Sequence, residues 1–124
     1  MKRRIIAPLL IVIALMSAHA QTAEASTPTV AEAKAYALRK LGKRQFACLS
    51  AIATRESHWN PHARNRSSGA YGIGQALPAS KMHRFGADYL DNPVTQVRWM
   101  LAYVHSRYGT ACIALDHSYR TGWY

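Results

Sequence analysis

The sequence is poor in acidic residues and in cysteine. Its 124 residues include 6 Asp and Glu against 16 Lys and Arg, and only 2 cysteines. No C-x-x-C pair accompanies Cys48 and Cys112, which argues against a zinc site built on paired cysteines. The sequence also lacks the H-E-x-x-H motif of zinc peptidases and the G-x-S-x-G motif of serine hydrolases. We therefore expect neither a metal nor another cofactor.

Long hydrophobic runs are scarce as well. The one extended apolar run, residues 5–16, is too short for a membrane-spanning helix and contains Pro8. Three basic residues precede the run and an A-x-A tripeptide ending at Ala20 follows it, which is typical of an export signal. We expect residues 1–20 to be removed, leaving a protein that is secreted or held in the cell wall or periplasm, without stable membrane insertion.

Positive charge remains high after that removal. Loss of three basic residues lowers the formal net charge from +10 to +7. Basic surfaces attract polyanions. Outside the cytoplasm the expected partners are anionic cell-wall polymers or membrane surfaces, not nucleic acid, and general solubility is the alternative explanation of the charge.

The exported chain has room for one domain. Residues 21–28 are small and polar, which predicts a flexible lead-in, and residues 29–124 form the domain, expected to be monomeric. In an oxidising compartment Cys48 and Cys112 predict one disulfide. A reactive thiol or a metal ligand is the less favoured alternative.

Helix signals dominate the first half of the domain. Thr29 is placed to cap a helix over residues 30–41, which Gly42 ends. A second helix is predicted over residues 43–57. Its apolar residues recur at spacings of three and four, as expected for one buried face: Phe46, Leu49, Ile52 and Ala53.

The second half begins with a segment that is not helical. Residues 64–78 are rich in Gly, Ser and Asn and predict a tight hairpin or an extended loop. A short helix is expected within residues 79–89, and an amphipathic helix follows from Asn92 to Gly109. A last short helix starts at Thr110. The fold class predicted is mainly α with a little strand (α+β), and the hairpin or loop forms one wall of a cleft.

One carboxyl group stands out. Glu56 lies one turn beyond the last apolar residue of the second helix, on the same face. Burial there would raise its pKa and keep it protonated, as a general acid requires. The alternative is a solvated glutamate at the helix end that pairs with Arg55 or Arg64, and periodicity alone does not choose between them.

The residues around Glu56 carry a family resemblance. The pattern E-S-x-W-N-P-x-A starts at Glu56, S-G-A-Y-G-I-G-Q ends at Gln75, N-P follows at Asn92, and T-G-W-Y starts at Thr121. These motifs, in this order, resemble the soluble lytic transglycosylase family over about residues 44–124. The resemblance implies a lysozyme-like fold.

The resemblance also implies an activity and a site. Such enzymes cleave the β-1,4 bond between N-acetylmuramic acid and N-acetylglucosamine in peptidoglycan glycan strands, and form 1,6-anhydro ends. Carried over, Glu56 is the single acid and base and Ser57 follows it in the motif. Gly72 and Gln75 match residues that line the sugar cleft.

The sequence departs from the family at one point. Relatives usually carry an Ala-Tyr-Asn element near the last helix, whose tyrosine contacts the catalytic acid. The corresponding stretch here, residues 114–117, reads A-L-D-H. Tyr103 or Tyr119 is expected to supply the phenol instead.

Other aromatic residues are candidates for stacking on sugar rings or for core packing. Tyr71 lies on a glycine-flanked loop, where binding residues are common, and is the preferred cleft candidate. The two roles are evenly matched for Trp99, and packing is favoured for Trp123.

Two other functions remain open at this point. A lysozyme-type hydrolase would use Glu56 together with Asp88 or Asp91, since ordinary glycosidases need two carboxyl groups. A non-catalytic cell-wall-binding protein would retain the fold without the catalytic activity.

Overall fold

Four helical elements make up the domain. The computed structural model describes residues 17, 18, 20, 22 and 24–124. Within them, in chain order, lie α1 (Val30–Ser57), a 3-10 helix (Ala79–Phe85), α2 (Pro93–Tyr108) and α3 (Ala111–Thr121). The predicted mainly α fold class is confirmed.

Only part of the N-terminal segment is among the described residues. The predicted export signal, residues 1–20, lies outside the described residues except at positions 17, 18 and 20, and it stays a prediction. Residues 24–28 of the predicted lead-in have no regular secondary structure. None of the helices in the described part of the chain is both long and apolar enough to cross a membrane.

Helix α1 is bent sharply at Gly42. Its first turn is capped as predicted: the side chain of Thr29 accepts a hydrogen bond from the Glu32 N–H (3.2 Å), and the Glu32 carboxylate accepts one from the Thr29 N–H (2.6 Å). Gly42 has φ 74° and ψ 166°, a conformation that is nearly restricted to glycine. The two predicted helices, 30–41 and 43–57, therefore follow each other with a bend and no loop between them.

The bend folds the first half of α1 back on the second. The Lys34 ammonium lies 5.0 Å from the centre of the Trp59 ring, whereas a straight helix would separate these positions by about 37 Å. The Trp59 indole in turn donates a hydrogen bond to Ser50 Oγ (3.2 Å). The two halves thus form one compact layer of the domain.

The apolar face predicted for the second half of α1 is the centre of the core. Leu49, Ile52 and Ala53 are fully buried, and Phe46 is half-buried. Helix α1 packs against α2 and α3. Cys48 and Cys112 form the predicted disulfide, which joins α1 to α3.

Helix α2 begins and ends as its sequence predicts. The Asn92 side chain accepts hydrogen bonds from two N–H groups in the first turn, the nearer at 2.9 Å, and Pro93 occupies the first helical position. At the other end the Gly109 N–H donates to the His105 carbonyl oxygen. The buried face of α2 includes the polar side chain of Gln96 beside Trp99 and Met100.

The segment between α1 and the 3-10 helix is a loop with isolated β-bridges. Tyr71 pairs with Arg64 and with Ala76, each antiparallel. Tyr71 and Ala76 exchange both main-chain hydrogen bonds, at 3.0 and 2.9 Å. The result is a tight turn over residues 71–76, which corresponds to the predicted hairpin or extended loop.

Candidate active site

The end of α1 opens into a cavity of about 310 Å³. Glu56 lies in its wall, and the turn that follows Tyr71 contributes Gly74 and Gln75. Four aromatic residues come from α2 and from the C-terminal end of the chain: Trp99, Tyr103, Trp123 and Tyr124. The loop and the 3-10 helix supply the rest of the lining: Asn65, Ala70, Leu77 and Lys81. An acid, an amide and aromatic rings thus share one cleft.

Glu56 is half-buried, and its surroundings favour the protonated form. Desolvation raises the pKa of its carboxyl group, and the positive charge of Arg55 lowers that pKa by a smaller amount. A carboxylic acid of this kind holds its proton nearer to neutral pH than a solvated glutamate does. It is therefore suited to protonate a leaving-group oxygen.

Neither arginine expected as an alternative partner pairs with Glu56. Arg55 donates hydrogen bonds to Ser118 Oγ (3.3 Å) and to its carbonyl oxygen (3.4 Å), and its guanidinium lies 4.7 Å from the centre of the Tyr119 ring. Arg64 lies 5.1 Å from the centre of the Tyr71 ring. Across the described residues, the ion pairs are His62–Asp91 and Arg120–Asp116.

Ser57 fixes the loop and does not line the cavity. Its buried hydroxyl lies 2.8 Å from the Ile73 carbonyl oxygen and 3.2 Å from the Ala53 carbonyl oxygen. With one proton to donate, the shorter contact is the stronger hydrogen bond. The residue next to Glu56 therefore ties the end of α1 to the turn of residues 71–76.

Position 72 requires glycine for two reasons: its close packing against Gln96 and its backbone conformation. Its φ is 79°, and a Cβ atom there would lie 2.5 Å from Gln96 Oε1. Gln96 is fully buried and bonds three segments: it accepts from the Ile73 N–H (2.9 Å) and donates to the carbonyl oxygens of Pro61 (2.8 Å) and Tyr89 (2.9 Å). The Gly72 position allows this side chain to reach the loop.

Gln75 lines the cavity, and hydrogen bonds to two main-chain carbonyl oxygens hold its side chain in place. Its Nε2 donates hydrogen bonds to the carbonyl oxygens of Ala63 (3.1 Å) and Gly72 (3.0 Å). These bonds occupy the amide nitrogen, and the amide oxygen remains the group with which Gln75 can accept a hydrogen bond from a ligand.

The structure brings together some of the sequence-predicted residues and separates others. Glu56, Gln75 and Tyr103 line the same cavity. Tyr71 instead donates its hydroxyl to the Leu90 carbonyl oxygen (2.9 Å) and is buried behind the turn. Tyr119 is 61% exposed, packs on Arg55 and lies outside the lining.

Two residues at the C-terminal end contribute more than sequence reasoning assigned them. Tyr124 donates its hydroxyl to the Gly74 carbonyl oxygen (2.6 Å), and its own carbonyl oxygen accepts from Tyr103 Oη (3.2 Å). Trp123, for which packing was favoured, lines the cavity as well. The available signal was the T-G-W-Y motif, whose place in the fold could not be read from its residues.

Tyr103 and Tyr124 are the phenols near Glu56. Burial raises the pKa of Tyr124 well above its usual value, and the charge of Glu56 adds to the effect. Burial is also the main cause of the raised pKa of Tyr103, with a smaller contribution from Glu56. In the stretch of residues 114–117, the His117 ring packs against Trp123, with ring centres 4.5 Å apart.

The two aspartates considered as second carboxyl groups lie elsewhere. Asp88 accepts hydrogen bonds from Asn92 Nδ2 (2.7 Å) and Thr95 Oγ1 (2.8 Å), and these bonds lower its pKa. Asp91 lies 3.9 Å from His62. Among the described residues that line the cavity, Glu56 has the one acidic side chain.

A metal centre is not evident in the described part of the chain. No three His, Cys, Asp or Glu side chains come together there in a way that would hold a metal ion. The chemistry available in the cavity is therefore that of an acid, amides, a lysine and aromatic faces.

Together, fold and site define a small, mainly helical domain with a single half-buried glutamic acid in a cleft that aromatic residues help to line. The model of the family described as the transglycosylase SLT domain matches residues 34–122, and the chain belongs to this family. Comparison with curated proteins and with solved structures finds no match. The predicted resemblance is confirmed, and membership implies lytic transglycosylase activity on peptidoglycan.

Proposed function

We propose that the protein is a lytic transglycosylase that cleaves the β-1,4 bond between N-acetylmuramic acid and N-acetylglucosamine. Glu56 serves as both acid and base, and the product carries a 1,6-anhydromuramic end. The observation that supports this proposal best is a half-buried glutamic acid with a raised pKa and no second acidic side chain among the described residues of its cavity.

The first step needs a protonated Glu56. Its carboxylic acid donates the proton to the glycosidic oxygen as the bond from that oxygen to C1 of the muramic acid breaks. The positive charge that develops on the sugar is stabilised by the carbonyl oxygen of the substrate's own N-acetyl group. A second protein carboxylate is then unnecessary, unlike in ordinary glycosidases.

The second step returns the proton. The Glu56 carboxylate accepts the proton of the C6 hydroxyl while the C6 oxygen bonds to C1, which closes the anhydro ring. Glu56 is protonated again, and water is not consumed. Trp99, Tyr103 and Trp123 supply aromatic faces for the sugar rings, and Gln75 offers an amide oxygen.

Mass spectrometry of the digestion products tests the reaction. Purified peptidoglycan treated with the protein should yield muropeptides with anhydromuramic ends, and Glu56→Gln should lower their formation by about a thousandfold or more, since it removes the proton donor. Glu24→Gln is the matched control, because Glu24 is exposed and precedes α1. It should keep parental activity.

Other products would decide against the proposal. Reducing ends would identify a hydrolase and would send the search for a base to Asp88 or Asp91. If Glu56→Gln solubilised peptidoglycan as well as the parent, or if the parent bound it without any product, a non-catalytic wall-binding role would replace the enzymatic one.

We further propose that the protein acts outside the cytoplasm after cleavage following Ala20. The basic residues, the apolar run and the A-x-A tripeptide of residues 1–20 support this location. N-terminal sequencing of the protein from an expressing bacterium should begin at Gln21. An intact N-terminus in the cytoplasmic fraction would contradict it.

A further inference from the structure

A second cavity, of about 510 Å³, adjoins the cleft. It lies between the 3-10 helix and α2, and it shares Lys81, Trp99 and Tyr103 with the cavity that contains Glu56. One extended ligand can therefore occupy both cavities at the same time, because the two share part of their lining.

The second cavity is rich in positive charge. Lys81, Arg84 and Arg107 all lie in its lining, and no acidic side chain does among the described residues. None of the three forms an ion pair within the part of the chain that the structure covers. Three unpaired cations around one concavity attract an anion.

Aromatic rings orient two of these cations. The Arg84 guanidinium lies 5.4 Å from the centre of the Phe85 ring, and the Arg107 guanidinium lies 5.3 Å from that of Trp123 and 5.9 Å from that of Tyr103. Cation–π contacts of this kind restrict where a guanidinium lies, and its remaining N–H groups can bind a carboxylate. The exposed Ser106 adds a hydroxyl to the lining.

We propose that this cavity binds the carboxylate-bearing peptide stem of the glycan strand. The inference rests on the proposed function, since it assigns a second part of the same substrate. Peptide stems are attached to the muramic acids, so one is always close to the bond that is cut. Anionic polymers linked through phosphodiesters are attached only sparsely, and a cavity continuous with the cleft would seldom meet one.

Two forms of the substrate test the proposal. Glycan strands carrying their stems are compared with strands from which an amidase has removed them, and kcat/KM is measured for each. We expect the parent to prefer stem-bearing strands by about tenfold, which is the order of one or two charge-assisted hydrogen bonds at an exposed site. Arg84→Gln combined with Arg107→Gln should reduce this preference to near unity.

The matched control is Lys43→Gln combined with Arg44→Gln. Both residues are exposed on α1, about 18 to 20 Å along the helix from Glu56, and their replacement also removes two positive charges, away from both cavities. It should retain the parental preference. Equal loss of preference in this control would mean that net charge matters and the cavity does not, which would overturn the proposal.

A binding measurement separates this inference from the proposed function. N-acetylmuramyl-L-alanyl-D-glutamate, with free carboxyl groups, is titrated in an NMR experiment against the same molecule with both carboxyls amidated. The acid should bind about tenfold more tightly to the parent and lose that advantage in the double arginine variant.

Each result of the two experiments has one meaning. If the acid binds as expected while neither form of strand is cleaved, the proposed function fails and the cavity assignment holds. If both forms are cleaved equally, or amidation leaves binding unchanged, the cavity assignment fails alone. If poly(glycerol phosphate) displaces bound probe and the muramyl peptide acid shows no preference over its amide, the cavity serves a phosphate polymer and the proposal is overturned.

Discussion

The hydroxyl of Ser57 donates a hydrogen bond to the carbonyl oxygen of Ile73 over 2.8 Å. The N–H of Ile73 donates at the same time to Gln96 Oε1 over 2.9 Å. Both main-chain polar groups of one loop residue are thus bonded by side chains from two helices, α1 and α2. Because Ser57 adjoins Glu56 and Ile73 lies two residues before Gln75, these two bonds hold the loop that carries Gln75 against the helix end that carries Glu56.

Replacement of Gly72 by alanine should be costly. The new Cβ would lie 2.5 Å from the buried Gln96 Oε1, and the positive φ of 79° adds backbone strain. We expect a loss of about 2–4 kcal/mol in the free energy of unfolding, from overpacking and strain together. Urea denaturation followed by circular dichroism measures it.

Gly69 provides the control for that substitution. It lies in the same loop with φ 81°, but a Cβ there meets nothing within 4 Å. Gly69→Ala should therefore cost only about 1 kcal/mol, the backbone part. Equal losses for the two variants would mean that contact with Gln96 is unimportant.

Replacement of Tyr124 by phenylalanine should loosen the cleft. The change removes the 2.6 Å hydrogen bond to the Gly74 carbonyl oxygen and leaves that acceptor without the bond. We expect a stability loss of about 1–3 kcal/mol and a several-fold fall in glycan cleavage. Thermal denaturation and an assay of product release measure the two effects.

Tyr119→Phe makes the same chemical change at a tyrosine that lies outside the cavity lining and is 61% exposed. Stability and cleavage should stay close to those of the parent. A fall in activity at Tyr119 with none at Tyr124 would reverse the assignment of the phenol beside Glu56.

The pH profile of cleavage should respond to Arg55. Glu56 donates its proton in the first step, so activity declines as pH rises through its pKa. Burial raises this pKa, which places the decline at a higher pH than for a solvated glutamate, and Arg55 partly opposes the shift. Arg55→Gln should therefore move the alkaline limb to higher pH.

Arg120→Gln is the comparison for the pH profile. Arg120 is exposed and pairs with Asp116 over 3.0 Å, one helical turn away. Its removal should leave the alkaline limb unchanged. A movement to lower pH in Arg55→Gln would mean that the acid responsible for this limb is not Glu56.

Loss of the disulfide should destabilise the domain substantially. The bond between Cys48 and Cys112 closes a loop with a sequence separation of 64, for which the chain-entropy model gives about 4 kcal/mol. Replacing both cysteines by alanine should lower the free energy of unfolding by that order. Added reductant should destabilise the parent and leave the double variant unaffected, and a parent indifferent to reductant would contradict the prediction.

Local signals predicted helix ends well. The caps at Thr29 and Asn92 depend on a side chain and on N–H groups two or three residues away, so the information lies in adjacent sequence. The stops at Gly42 and Gly109 depend on backbone freedom at one position. Their prediction needed no knowledge of the tertiary structure.

Contacts between distant segments were beyond sequence reasoning. Gln96 bonds residues 61, 73 and 89, and no periodic pattern singles out a glutamine on an otherwise apolar face. Tyr71 was favoured for the cleft because it lies on a loop, yet its hydroxyl is directed to Leu90. Which side of a loop faces a cavity depends on the elements packed behind it.

The position of Tyr124 has a practical consequence for anyone who expresses this protein. Its carbonyl oxygen is bonded to Tyr103, and its ring lies in the wall of the cavity that contains Glu56. An affinity tag fused after Tyr124 would emerge beside that cavity, where a run of histidines would compete with glycan and distort measured rates. A tag inserted between Ala20 and Glu24 would remain after the proposed cleavage and would join the domain through residues 24–28, none of which lines the cavity.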